Sequence, residues 1–182
     1  MGLRKASCYA KIERPYTRKS KIKSKSYIKS VPYPRIQKFV MGNVKDFVQN
    51  KFPFVVYLKA TEPVQIRDTA LEASRVLIHR ELEKKLKGSY YFAVSAYPHH
   101  VLRENKMLTG AGADRMQTGM QLSFGKPIGV AAQIDSNGKI FTVACFEDGL
   151  EIVKEALKKV KPKLPGKKTI VVEKRGKKEK KK

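Results

Sequence analysis

The sequence predicts an α+β fold: a mixed, largely antiparallel sheet with two packed helices, an extended basic N-terminal arm and a basic C-terminal tail. Three observations lead to this prediction. Hydrophobic residues make up 41% of the 182 residues, which is enough for a core. Strand-like segments follow one another in groups instead of alternating regularly with helices, which favours an antiparallel or mixed sheet. The net charge of +24 is concentrated at the two ends of the chain.

The charge divides the chain into three parts. Residues 1–35 contain eleven Lys and Arg and one acid, and residues 161–182 contain eleven Lys and Arg and two acids; the middle contains eighteen bases and thirteen acids. Charge of this size opposes compaction unless a polyanion neutralises it. Nucleic acid is the usual partner for such a pattern, and an anionic membrane surface is the competing interpretation. Because no run of eighteen apolar residues is present, no membrane-spanning helix or signal peptide is expected.

The N-terminal arm, residues 1–35, shows no apolar period, and its prolines disfavour regular structure. We expect it to be disordered in isolation and to become ordered on RNA, where its Lys and Arg would reach phosphates. A plain solubilising arm is the alternative. The rings that would stack on unpaired bases belong to four tyrosines, Tyr9, Tyr16, Tyr27 and Tyr33.

Two strands and a helix are predicted next. A weak strand pattern covers residues 35–42, and a strong one, rich in β-branched and aromatic residues, covers residues 52–60. A helix follows, with Pro63 in its first turn and Gly88 just past its end. Its predicted buried stripe consists of Ile66, Ala70, Ala73 and Leu77. Its opposite face carries Arg75, Arg80, Lys84 and Lys87. We expect this face to be solvated, and contact with phosphate is the alternative.

The second half of the chain adds strands and one more helix. Strands are predicted at residues 90–98 and 101–105. In IGVAAQID-SNG-KIFTVACF, Asn137-Gly138 predicts a tight hairpin turn between two strands. A second helix ends before Pro162 and a last strand covers residues 168–174. The apolar stripe of that helix consists of Leu150, Val153, Leu157 and Val160.

The segment VLRENKMLTGAGADRMQTGMQLSFGKP, residues 101–127, resembles an active-site loop but lacks the required pattern. Gly110 and Gly112 begin a G-x-G, yet Arg115 occupies the position of the next glycine, and Gly125-Lys126 is followed by Pro127 instead of Ser or Thr. Nucleotide binding is therefore not expected.

Catalytic chemistry is not supported in this segment either. Glu104 and Asp114 each adjoin an arginine, which would hold the carboxylates ionised, and Ser123 has no histidine in a motif with it. An enzyme that modifies RNA is the alternative, and it would need a cofactor loop or a nucleophile–base pair. Two isolated cysteines, Cys8 and Cys145, predict neither a zinc site nor a disulfide framework. We expect no enzyme activity, no cofactor and no metal, and we expect the loop to contact RNA.

Three stretches of the chain together resemble one protein family: GAGADRMQTGM…FGKPIGVAA, RPYTRKS in the arm, and FEDGLEIVKEALKKVKPKLPGKK around the second helix. In combination they are similar to the large-subunit ribosomal proteins called L-ten-e in archaea and eukaryotes and L-sixteen in bacteria. The long segment before the first helix resembles the archaeal type. The resemblance covers about residues 2 to 174, and the lysine-rich tail from about Gly176 departs from it.

The resemblance implies an α/β fold with a β-hammerhead element and a structural role on the cytoplasmic ribosome. It implies binding to large-subunit rRNA near the peptidyl transferase centre, with positioning and assembly as the function rather than chemistry. The implied partners are large-subunit rRNA, with 5S rRNA as a further candidate, tRNA in the A and P sites, and neighbouring large-subunit ribosomal proteins. No membrane is expected as a partner.

The resemblance also suggests which residues meet RNA. Residues 1–35 would be an rRNA-binding extension, residues 36–174 a single RNA-binding domain whose mobile loop, 101–117, faces tRNA, and residues 175–182 a disordered tail. The expected rRNA contacts are Arg4, Lys5, Arg14, Tyr16, Arg18, Lys19, Lys21, Lys23, Lys25, Lys29 and Arg35. The expected tRNA-facing residues are Arg103, Lys106, Gly110, Gly112, Arg115 and Gln117, and Lys126 is a further expected RNA contact.

Overall fold

The strands in the described part of the chain form two antiparallel sheets. The computed structural model of the chain describes residues 6–12, 28, 30–104 and 125–175. The larger sheet has five strands, which in spatial order are β1 (Val40–Gly42), β4 (Tyr90–Val94), β7 (Lys139–Cys145), β2 (Phe54–Ala60) and β8 (Lys168–Lys174). The smaller sheet has three, which in spatial order are β3 (Val64–Arg67), β6 (Lys126–Ile134) and β5 (His100–Glu104). The predicted α+β class with antiparallel pairing is confirmed.

Two long helices, α2 (Asp68–Leu86) and α3 (Leu150–Val160), cover one face of the larger sheet, which we call its inner face. The core between them contains Val56, Leu58, Leu71, Ile78, Leu82, Phe92, Phe141, Val153 and Leu157. The helices also meet each other through two ion pairs, Lys85–Glu155 at 2.9 Å and Lys159–Glu81 at 3.1 Å. We call α2 and α3 together the helical layer.

The opposite, outer face of the larger sheet is covered in part by a short helix, α1 (Val44–Val48), which the sequence did not predict. Asn43 caps it by accepting a hydrogen bond from the Asp46 backbone N–H at 3.1 Å. The ring of Phe47 stacks on that of Tyr91 with centroids 3.8 Å apart. Beneath them lies a second, small apolar cluster of Phe52, Val55 and Ala144, with Tyr57 packed at its edge.

Several predicted elements are confirmed. β2 lies within the predicted strand 52–60 and β8 coincides with the predicted strand 168–174. The predicted apolar stripe of α3 buries Val153, Leu157 and Val160. α2 ends at Leu86, after which Lys87 and Gly88 have φ angles of +44° and +86°. Since a left-handed backbone conformation suits glycine best, Gly88 fits its predicted place beyond the helix end. The weak pattern at residues 35–42 yields only the three-residue strand β1.

The predicted start of the first long helix is wrong. Residues 64–67 form β3, whose backbone groups pair with β6, so Pro63 precedes a strand and Ile66 is a buried strand residue. The predicted stripe is also displaced, because Ala73 is exposed. The buried positions of α2 are Asp68, Leu71, Ser74, Arg75, Ile78 and Leu82. Because three of these six positions are polar, the buried face of the helix does not show as an apolar period in the sequence.

The predicted β-hairpin around Asn137-Gly138 is wrong as well. β6 pairs with β3 and β5, whereas β7 pairs with β4 and β2, so the turn carries the chain from one sheet to the other. Asn137 has a φ of +62° and donates its backbone N–H to the carbonyl of Ala60 at 2.7 Å. The Ala60 N–H in turn donates to the Gly138 carbonyl at 2.9 Å. The turn therefore extends β2 instead of joining two paired strands.

Candidate nucleic-acid interface

Charge is balanced on the helical layer. α2 carries four acids and four Lys or Arg, and α3 carries two acids and three Lys. Three of these acids pair with basic side chains of the layer: Glu72 with Arg75, Glu81 with Lys159 and Glu155 with Lys85. The large excess of positive charge consequently belongs to other parts of the chain. The helical layer is thus poorly suited to attract a polyanion.

Arg75 was expected on the solvated face of α2, and this expectation is wrong. Its residue exposure is 6%, and its guanidinium donates to both carboxylate oxygens of Glu72, at 2.6 and 2.8 Å. A third bond, from Nη1, reaches the Met41 sulfur at 3.1 Å. The hydrogen bond from Arg75 lowers the pKa of the Glu72 carboxyl, and the same bond raises the pKa of Arg75. Arg75 therefore stabilises the contact between α2 and β1 and is not available to RNA.

The beginning of the arm is folded onto the smaller sheet. Residues Ala6–Tyr9 form a 3₁₀ turn, and Tyr9 is fully buried against Leu102 and Ala131. The Tyr9 hydroxyl donates to Glu104 Oε2 at 3.2 Å, and the Arg67 guanidinium lies 5.1 Å from the centre of its ring. Tyr9 is therefore not a ring that can stack on RNA bases. For residues 6–12, the expected disorder in the free protein is corrected to a docked segment.

Gln65 of β3 holds this segment in place. Its backbone N–H donates to the Ala10 carbonyl at 2.9 Å, and its side-chain amide donates to the Tyr9 carbonyl at 2.9 Å. The amide of Gln133, on β6, donates to the Gln65 side-chain oxygen at 3.0 Å. Because Gln65 is only 1% exposed, these bonds satisfy polar groups that water does not reach.

The end of the arm forms one side of a cleft at the start of α2. Pro32, Tyr33, Arg35, Arg67, Thr69 and Gly129 line this cleft, which we call the Tyr33–Arg35 cleft. Tyr33 is 90% exposed, and the Arg35 backbone N–H donates to Asp68 Oδ2 at 3.1 Å. An exposed ring can stack on an unpaired base. The two neighbouring arginines can neutralise phosphates of the RNA backbone.

Three of the predicted RNA-contact residues fall within the described part of the chain. Arg35 lines the cleft, and Lys126 is exposed at the start of β6, opposite Glu104. Arg103 lies on β5 and is 1% exposed. The remaining ones lie outside the described residues: Arg4, Lys5, Arg14, Tyr16, Arg18, Lys19, Lys21, Lys23, Lys25, Lys29, Lys106, Gly110, Gly112, Arg115 and Gln117.

The predicted loop therefore starts later than residue 101. Val101, Leu102 and Arg103 are buried strand residues paired with β6, since Val101 lies opposite Val130 and Arg103 opposite Pro127. A side chain in this position does not face solvent, so the placement of Arg103 among the exposed loop cations is corrected.

The two cysteines differ in their surroundings. Cys8 is exposed, whereas burial raises the pKa of the Cys145 thiol to about 11.

The described residues contain no group of three or more His, Cys, Asp or Glu side chains placed to hold a metal ion. Among the same residues, no helix is both long and apolar enough to cross a membrane.

The fold and the distribution of charge define a basic α+β protein in which the excess of positive charge lies outside a nearly neutral helical layer. Residues 12–171 match the family described as Ribosomal protein L16p/L10e. The chain belongs to this family of ribosomal proteins, which are structural proteins and not enzymes. The family expected from the sequence, and the expectation that the protein belongs to the ribosome, are thereby confirmed.

Similar proteins from archaea extend over most of the chain. The large ribosomal subunit protein uL16 of Sulfolobus acidocaldarius is 48% identical over 169 residues, which cover 91% of this chain and 90% of that protein. The protein of the same name from Hyperthermus butylicus is 44% identical over 91% of this chain and 90% of its own length. That of Methanococcus aeolicus is 41% identical over 94% of this chain and 95% of its own length.

Proposed function

We propose that this ribosomal protein is a structural constituent of the large ribosomal subunit that binds large-subunit rRNA near the peptidyl transferase centre. In this proposal the N-terminal arm and the Tyr33–Arg35 cleft contact rRNA, and the segment between β5 and β6 helps to position tRNA in the A and P sites. The observation that carries the proposal is the separation of charge, because the sequence of the arm is strongly cationic whereas the helical layer is balanced.

The arm is suited to rRNA because it is attached to the fold at two places. Tyr9 and Gln65 dock its beginning on the smaller sheet, and the backbone of Arg35 is bonded to Asp68 at the start of α2. The basic residues between these attachments would contact phosphates, and counterion release would supply much of the binding free energy. Tyr33, whose ring is 90% exposed, would stack on an unpaired base.

The segment between β5 and β6 is proposed to serve tRNA. Its ends are register partners, Glu104 and Lys126, on two paired strands of the smaller sheet. Its sequence combines glycines with Lys106 and Arg115, which would contact tRNA phosphates. Neighbouring large-subunit proteins would meet the helical layer, where the charges are balanced. A contact with 5S rRNA is a further part of the proposal.

Exchanging this segment tests whether it serves tRNA binding while the arm and the Tyr33–Arg35 cleft serve rRNA binding. Residues 106–116 are replaced by a Gly/Ser sequence of equal length, which leaves β5 and β6 unchanged. We expect incorporation into the large subunit to remain within about twofold of the wild type, because the arm and cleft carry the rRNA contacts. Binding of aminoacyl-tRNA to the A site should weaken by about tenfold or more, as expected when two phosphate contacts are lost. The readouts are sedimentation of subunits and filter binding of labelled tRNA.

A matched control, Lys154→Gln/Lys158→Gln, removes two cations from the exposed side of α3. It should leave tRNA binding unchanged. Loss of incorporation with the 106–116 exchange would contradict the proposed division, and unchanged tRNA binding would refute the tRNA role.

A further inference from the structure

We propose a second RNA-binding surface on the outer face of the larger sheet, formed by Tyr57, Lys59, Ser95, Tyr97, His99 and Lys139, which we call the outer-face groove. Its ligand would be an unpaired stretch of RNA. The inference rests on the proposed function, since it assumes that the protein is bound to rRNA. It adds a contact on the side of the molecule opposite the helical layer.

The first argument is that this face has little cover. The side chains of β2 alternate, so Val56 and Leu58 enter the core beneath the helices, whereas Tyr57 and Lys59 point to the outer face. Among the described residues, α1 covers the end of that face near Tyr91. Tyr57 itself remains partly exposed.

The second argument is an arrangement of charge that the fold does not need. Lys59 and Lys139 are cross-strand partners at a β-bulge between β2 and β7. Like charges at opposed positions of neighbouring strands destabilise a sheet. Their ammonium groups lie 5.4 and 4.0 Å from the centre of the Tyr57 ring. Glu173 offsets one of the two lysines, at 3.3 Å from Lys59 Nζ.

The third argument is that Lys139 also lines a cleft with a second aromatic group. This cleft, between the ends of the two sheets, includes Ser95, Tyr97, His99 and Gln133. Tyr97 is 47% exposed, and the centroid of its ring lies 5.1 Å from that of Phe39 and 4.4 Å from that of His99. Asp135 also lines the cleft, so the phosphates would lie on the Lys139 side.

These features together fit unpaired nucleotides. Proteins that bind single strands combine aromatic rings on which bases stack with cations that follow the backbone. Tyr57 and Tyr97 would provide the rings, and Lys59 and Lys139 would meet the phosphates. The hydroxyl groups of Ser95 and Thr142, 2.7 Å apart on the same face, would offer hydrogen bonds to ribose. An acidic peptide could use the lysines, but it would gain little from the two tyrosine rings.

The chain contains no tryptophan, so a single introduced tryptophan reports on one site. The full-length Tyr97→Trp variant is titrated with a twelve-nucleotide oligouridine, and its fluorescence is compared with that of Val76→Trp. Val76 is the matched control because it is 48% exposed and lies on α2, in the helical layer. Stacking should quench Tyr97→Trp at least about twice as strongly as Val76→Trp. A Tyr57→Trp variant tests the other end of the groove in the same way.

A second pair of variants tests the lysine. Adding Lys139→Gln to Tyr97→Trp should reduce the quenching by about half or more, whereas adding Lys154→Gln, on the exposed side of α3, should leave it unchanged. Circular dichroism of each variant verifies the fold. Fluorescence anisotropy verifies that the oligouridine binds. Equal quenching of Tyr97→Trp and Val76→Trp, or no quenching of either, would then overturn the inference.

Failure of the proposed function gives a different result. In that case the wild type would not prefer large-subunit rRNA over an unrelated RNA of equal length at any salt concentration. A polyglutamate peptide that changed the fluorescence of Tyr97→Trp as much as oligouridine would overturn the RNA assignment and indicate an acidic protein segment instead.

Discussion

Tyr9 illustrates how a residue in a basic, proline-containing arm can belong to the core. Its ring is fully buried beside Leu102 and Ala131, and its hydroxyl reaches Glu104, the last described residue before the segment between β5 and β6. The composition of the arm predicted a stacking ring because Lys, Arg and Tyr alternate there. The partners that bury it come from β5 and β6, about ninety to one hundred and twenty residues away. The local sequence around Tyr9 therefore does not predict its burial.

Replacing Tyr9 by Ala should detach this part of the arm. Removal of a buried aromatic ring costs about 3–5 kcal/mol where the site cannot collapse, so we expect either a lower urea midpoint or local release of residues 6–12. In both cases the backbone N–H of Gln65, which donates to the Ala10 carbonyl, should exchange its hydrogen faster by about tenfold or more. Hydrogen exchange followed by NMR measures this rate.

Tyr33→Ala is the control, because Tyr33 is 90% exposed and its removal should change neither the midpoint nor the exchange of Gln65. Tyr9→Phe keeps the ring and should lose only about 1 kcal/mol with the hydroxyl bond. If Tyr9→Ala and Tyr33→Ala behaved alike, the docked segment would be refuted.

The turn of residues 135–138 is the element that sets the topology. It connects β6 in the smaller sheet to β7 in the larger one, and its backbone forms hydrogen bonds with Ala60 at the end of β2. Asn-Gly is a strong local signal for a tight turn, and a tight turn is present. Which strands that turn joins depends on partners distant in the sequence, because both β6 and β7 already have a neighbour on each side.

Gly138→Ala should destabilise the fold. A Cβ atom at this position would lie 2.5 Å from Ile134 Cγ2 and 2.9 Å from the Asp135 carbonyl oxygen, so the turn would have to shift. Overpacking of this kind costs about 1–3 kcal/mol in the free energy of unfolding, which urea denaturation measures.

Gly129→Ala provides the comparison, since a Cβ there has no neighbour within 4 Å and should change stability by less than about 0.5 kcal/mol. Equal stability of the two variants would show that the turn tolerates the shift.

At the level of elements, the sequence predicted what local patterns determine. α3 has a complete apolar stripe and β2 is rich in aromatic and β-branched residues, and both were placed well. β3 is four residues long and directly precedes α2, so its apolar positions were read as the first turn of the helix. The outer-face groove could be predicted only in part: alternation puts Tyr57 and Lys59 on one face, but Lys139 joins them through the pairing of β2 with β7.

For the whole molecule, the distribution of charge predicts which surfaces respond to salt. The double variant Tyr33→Ala/Arg35→Gln removes a ring and one cation from the Tyr33–Arg35 cleft. It should weaken binding to large-subunit rRNA by about fivefold or more. It should also reduce the slope of log affinity against log salt by about 0.7 to 0.9, which corresponds to one phosphate contact. A filter-binding titration at several salt concentrations measures both quantities.

Lys154→Gln/Lys158→Gln is a demanding control because it removes two cations, both from the exposed side of α3. It should leave affinity within about twofold and the slope nearly unchanged, since the balanced helical layer makes few phosphate contacts in the proposed arrangement. A larger loss from this variant than from the cleft variant would mean that rRNA meets the helices.

The contrast between the two cysteines has a practical consequence. A maleimide reacts with the thiolate form of an accessible thiol, and Cys145 is both fully buried and shifted to a pKa of about 11. Cys8 is exposed on the 3₁₀ turn next to buried Tyr9. The native protein can therefore be given one fluorescent dye on the docked end of its arm without any engineered substitution. Attachment and release of that end could then be followed in real time while a subunit is assembled.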